Sequence, residues 1–150
     1  MSRLFPCLLL VALTTSAAAA TYPVDDSRSQ VFGGAVRLQW HDPAPGRTDL
    51  ATGELSVLAR LWVAPWRGRV GRIYLVLPPQ PLTTVSVRWT TRGVLLPGAV
   101  QSGQRVLVYA GEIRSDQIED MLQLTITADG NRLVRTEQLE FRFEIDVDAP

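Results

Sequence analysis

Leu139-Glu140-Phe141-Arg142-Phe143-Glu144-Ile145-Asp146-Val147 is the stretch that decides the fold. Leu139, Phe141, Phe143, Ile145 and Val147 alternate with Glu140, Arg142, Glu144 and Asp146. A strand separates two such sets onto opposite faces, whereas a helix of period 3.6 would mix them around its axis. Sliding the pairing by one residue would bury four charged side chains, so the pattern predicts a half-buried strand with a firmly set register.

The same period recurs toward the N-terminus. Leu122, Leu124 and Ile126 form one row, ending at Asp129-Gly130-Asn131, where Gly tolerates positive φ and favours a tight hairpin. Val106, Val108 and Ala110 form another, with Leu107 and Tyr109 opposite. A short strand at Val94 to Leu96 is expected to stop at Pro97-Gly98. Val85, Val87 and Trp89 alternate with Thr84, Ser86, Arg88 and Thr90, and Ile73, Leu75 and Leu77 with Arg72, Tyr74 and Val76 until Pro78-Pro79. Leu55, Val57, Ala59, Leu61 and Val63 share a face, as do Val36, Leu38 and Trp40 before the turn-rich Asp42-Pro43-Ala44-Pro45-Gly46. Trp40 and Trp89 fall in apolar rows and are expected in the core. Ser115 to Asp120 is the one helix-like piece, with Ser115 as a cap. About seven to nine short strands at roughly 8–12-residue spacing predict an all-β, immunoglobulin-like antiparallel β-sandwich.

Residues 1–20 read as a cleaved secretory signal. Arg3 supplies the positive end, Leu4 to Leu13 an apolar run broken only by Pro6, and Ala18-Ala19-Ala20 the small residues that signal peptidase requires. The run is too short for a permanent membrane span, so no integral membrane segment is expected after cleavage. Periplasm or cell surface is the expected location. Cys7, the single cysteine, lies inside the signal and precedes most of the apolar run, which argues against lipidation. The mature domain therefore has no disulfide to offset a thin core. Removing 20 of 150 residues leaves 130, enough for one domain with a real core. The expected organisation is a flexible N-terminal segment at 21–34 followed by a single sandwich at 35–150.

Charge excludes some partners. Without Arg3, 14 of the 15 basic residues face 15 acidic ones, and every basic residue is Arg. A near-neutral domain lacks the basic face that nucleic acid requires, and it offers no polybasic membrane patch. His41, the sole histidine, stands at a strand end beside a Pro-Gly loop, and no G-x-S-x-G elbow accompanies it. One His and no mature Cys leave zinc without ligands. Asp25-Asp26 and the group Asp116, Glu119 and Asp120 lack the Gly-spaced ligand pattern of a calcium loop and read as solvated surface. No catalytic, metal or cofactor residue is assigned, and the chain reads as non-enzymatic.

The unusual stretch is Trp62 to Tyr74, with Trp62, Trp66, Arg67, Arg69, Arg72 and Tyr74 in thirteen positions. Structurally, it reads as an Arg–aromatic stack on a sheet face. Functionally, it reads as an interaction face, since exposed aromatics with Arg mark interface hot spots. Such a face suits a protein partner or, as an alternative function, a carbohydrate or other ligand.

An exported, disulfide-free single sandwich closing on Phe-x-Phe-x-Ile-x-Val resembles components of bacterial chaperone–usher fimbrial systems. The resemblance implies an immunoglobulin-like fold and strand exchange between chains. It also implies fimbrial subunits or a chaperone as partners. Usher-pathway chaperones have two such domains, and this chain has room for one. In the donor extension typical of polymerising subunits, apolar residues alternate; here Tyr22 and Val24 begin that pattern and Asp26 and Arg28 break it. An accessory or minor fimbrial component, acting in pilus assembly or adhesion, is the expectation.

Overall fold

The computed structural model describes residues 18–32, 39–40, 50–80, 84–129 and 140–148. They form two antiparallel sheets. The first runs β1 (Ala20–Val24), β10 (Arg142–Val147), β5 (Val70–Leu77) and β8 (Gln104–Glu112), in that order. The second runs β2 (Gln30–Phe32), β4 (Leu50–Trp62), β9 (Gln117–Asp129), β6 (Val85–Thr91) and β7 (Gly98–Gln101). A two-residue strand, β3 (Gln39–Trp40), also pairs with β4, at the end away from β2. The expected all-β sandwich is what the chain forms.

Alternation explains the strands. Gly71, Ile73, Leu75 and Leu77 of β5 are buried, as are Val85, Val87 and Trp89 of β6. Phe143, Ile145 and Val147 of β10 face the same core, so the deciding stretch is oriented as its period demands. Trp89, Leu61, Ile73, Leu75, Leu77, Ile113, Leu122 and Ile145 are among the largest fully enclosed side chains. Leu139, the Gly130-Asn131 turn, His41, Val36, Leu38, residues 1–17 and the side chain of Trp40 lie outside the described residues.

Four expectations need correction. Ser115 to Asp120 is not helical: β9 begins at Gln117 and buries Ile118, Asp120, Leu122, Leu124, Ile126 and Ala128, an unbroken period of two. Val94 to Leu96 is a bent loop rather than a strand, and β7 starts at Gly98, where the expected strand was to stop. The row Val106, Val108, Ala110 does not hold, because the β5–β8 register shifts between Ile73 and Tyr74. Such a bulge rotates the side chains beyond it; Val108 is enclosed, Ala110 is exposed and Tyr109 packs on the core. Finally, the N-terminal segment is not loose throughout: it contributes β1 and β2, one to each sheet.

The chain changes sheets at tight crossings. Between β7 and β8 it turns at Ser102 and Gly103; φ is +82° at Gly103, a region glycine occupies freely, and its N–H donates to the Leu77 carbonyl at 2.8 Å. Between β1 and β2, Asp25 accepts the Trp62 N–H at 2.9 Å, and Ser29 donates its N–H to the Asp26 carbonyl at 2.8 Å.

Candidate functional site

The stretch from Trp62 to Tyr74 spans both sheets rather than lying on one. Trp62 ends β4; Ala64–Trp66 is a short 3₁₀ turn that Pro65 helps to start; Arg72 and Tyr74 point outward from β5. The residues do not stack on one another. Arg67 pairs with Asp116 at 3.1 Å, and Arg72 with Asp148 at 3.4 Å. Arg69 donates to the Asp148 carbonyl. The cations over the rings come from elsewhere: Arg28 lies 5.5 Å from the Trp62 ring and Arg105 4.1 Å from the Tyr74 ring. Trp66 meets Tyr22, with ring centroids 5.9 Å apart and planes tilted by 40°.

These contacts share a consequence. Tyr22, Asp25 and Arg28 belong to the N-terminal segment, and each touches Trp62 or Trp66. The aromatic residues thus hold the first strand and its turn against the sandwich. Ser29 adds to the grip by accepting the Arg60 N–H at 2.8 Å. Within the turn, the Ser27 hydroxyl and N–H hold the Asp25 carboxyl below the usual carboxylate range, while burial pushes that of Asp26 up.

A second cluster on the outer face of the first sheet was not singled out by sequence. Asp146 is buried although it belongs to the polar row of β10. Arg105 of β8 reaches across Tyr74 and grips Asp146 with two bonds, 3.2 and 3.0 Å. Arg105 also lies 3.7 Å from Glu144. Thr21 of β1 donates its hydroxyl to Asp146 at 2.6 Å. Arg105's hydrogen bonds, with help from Thr21, hold the Asp146 carboxyl below its ordinary range despite its burial. A two-pronged guanidinium–carboxylate contact is directional as well as strong. It ties β1, β10 and β8 together over β5. Only a fold places residues 21, 105 and 146 side by side, so no spacing rule finds them.

Asp120 is a third feature. Expected at the surface with Asp116 and Glu119, it stands in the inward row of β9 and is only 5% exposed. Its carboxylate accepts the N–H groups of Arg92 (3.2 Å), Gly93 (2.7 Å), Leu95 (2.8 Å) and Met121 (2.7 Å). The 92–96 loop is further fixed by bonds from the Trp89 indole to the Leu96 carbonyl and from the Thr91 hydroxyl to the Leu95 carbonyl. Glu119 pairs instead with Arg60 at 2.8 Å. Among the described residues, no three His, Cys, Asp or Glu side chains converge as metal ligands, and no helix is long and apolar enough to cross a membrane.

No protein-family model matches this chain, and no curated protein matches it either.

Proposed function

We propose that this chain is a non-enzymatic exported structural protein, an accessory or minor fimbrial component in the periplasm or at the cell surface, that meets other proteins through strand edges. The observation that carries this reading is the placement of β1. The first strand closes the edge of β10 by antiparallel pairing from Ala20–Val147 to Val24–Phe143. Of its five residues only Val24 is buried. Displacing β1 would free the backbone of β10, whose Phe143, Ile145 and Val147 are already set in the core, and such an edge accepts a strand from another chain.

Pro23 sharpens the mechanism. It has no N–H, so β1 offers no donor there for a further strand, which is why proline is confined to edges. At this edge, replacing β1 is favoured over adding a strand to it. The Trp62 and Trp66 contacts act on the same segment and set how readily it leaves.

Two single-cysteine forms of the mature chain test this, one carrying Pro23→Cys and the other Glu144→Cys, positions paired across β1 and β10. Mixed under oxidising conditions, they should form a disulfide-linked pair of chains. The double variant in one chain should close internally, which verifies the geometry. If it closes and the mixed single variants stay unlinked, strand exchange between copies is excluded.

A further inference from the structure

On the outer face of the second sheet, far along the fold from the β1–β10 edge, lies a depression of about 180 Å³. Two rungs of the sheet build it. Glu54, Thr125 and Arg88 stand side by side on β4, β9 and β6, and Ser56, Gln123 and Thr90 form the next rung. Trp89 and Leu124, both buried, lie beneath. All the upper side chains sit on three long hydrogen-bonded strands, which hold them more firmly than loops would.

The charges here are unlike those elsewhere on the same face. Arg60 and Glu119 are direct cross-strand neighbours and pair. Glu54 and Arg88 are separated by Thr125 and form no ion pair or hydrogen bond with another described residue. Gln123 is oriented: Ser56 donates its hydroxyl to the Gln123 carbonyl oxygen at 2.7 Å, which leaves the amide nitrogen to donate outward. The floor of the depression thus presents one strong acceptor, Glu54, strong donors from Arg88 and Gln123, and two hydroxyls that serve as either.

A matching ligand must donate and accept over a short span, and must be neutral, because the Glu54 and Arg88 charges offset each other. A depression smaller than the roughly 300–1,000 Å³ of drug-sized pockets takes one small ring. We propose that this depression binds a single neutral hexopyranose unit, with one hydroxyl donating to Glu54 and neighbouring hydroxyls accepting from Arg88 and the Gln123 amide. The site is independent of strand exchange, which involves the other sheet. An open site without a stacking ring binds such a unit with a Kd of about millimolar order.

The test is an amide-resolved NMR titration of the whole mature chain with glucose, galactose and mannose separately. At least one sugar should give saturable shifts at Glu54, Arg88, Thr90, Gln123 and Thr125, with residues 143–147 unmoved. Glu54→Gln and Arg88→Gln should each weaken binding about tenfold or more, since each removes a charge-assisted hydrogen bond. Their spectra report the fold directly. Absence of saturable shifts with all three sugars overturns the proposal. So does unchanged affinity in both variants. Stronger shifts of the same amides by glycine would assign the site to a zwitterion and overturn the saccharide reading.

Discussion

Replacing Asp120 by Ala tests how far one buried carboxylate organises a loop. In the folded chain it accepts four backbone N–H groups, at 2.7 to 3.2 Å, three of them from the 92–95 loop. A hydrogen bond to a charged acceptor contributes about 1.5–3 kcal/mol. The Leu95 donor is buried, while those of Arg92 and Gly93 lie nearer solvent, where water substitutes in part. The expected loss is therefore about 3–5 kcal/mol, less than the sum of separate bonds. Asp120→Asn keeps the shape and one oxygen but turns an amide N–H₂ toward a donor, and should lose about 1–3 kcal/mol. Both remain within the usual 5–15 kcal/mol of a domain, so both should fold. Urea unfolding read by Trp fluorescence gives the free energy, and hydrogen exchange at Gly93 and Leu95 should accelerate in step. A loss below about 1 kcal/mol for Asp120→Ala, with Leu95 still protected, would refute this account of the loop.

Other consequences are as direct. Because the Asp146 carboxyl is held below its ordinary range by Arg105, its contribution is present at neutral pH and declines as pH falls below about 4, through the folded-state value. Asp146→Asn should remove that part of the acid sensitivity in urea titrations between about pH 6 and 2. Gly93→Ala should destabilise by about 1–3 kcal/mol in thermal melts, since an added Cβ would lie 3.0 Å from the Asp120 carboxylate carbon. Trp66→Ala removes the half-buried ring beside Tyr22, and should lower stability by about 2 kcal/mol while stripping exchange protection from Tyr22 and Val24.

Much of the fold is legible in the chain because β-strand alternation is local. Rows such as Ile73-Leu75-Leu77 and Phe143-Ile145-Val147 carry their orientation in their own spacing. Reading failed where a partner changes the local geometry. The Ala110 position depends on a register shift against Ile73 and Tyr74, which no single strand records. Asp120 breaks the apolar row of β9, so Ser115 to Asp120 resembles a capped helical turn until the loop that occupies its carboxylate is known. The same blindness hid Asp146, whose cover comes from Arg105, 41 residues away. The composition of the Trp62–Tyr74 stretch drew notice to these residues, but not to their contacts. Its Arg side chains meet Asp116 and Asp148, and its Trp rings meet the N-terminal segment, through pairings distant in sequence.

As proposed above, β1 is a separable strand that fills a receptive edge. The most direct measurement is made on a mature chain that begins at Asp25, mixed with a synthetic peptide of residues 21–28. The truncated chain should bind the peptide, and the amides of Arg142 to Val147 should shift in the antiparallel register from Thr21–Asp146 to Val24–Phe143. If the truncated chain folds with those amides as protected as in the full chain and binds no peptide, the edge is not receptive and the account is wrong.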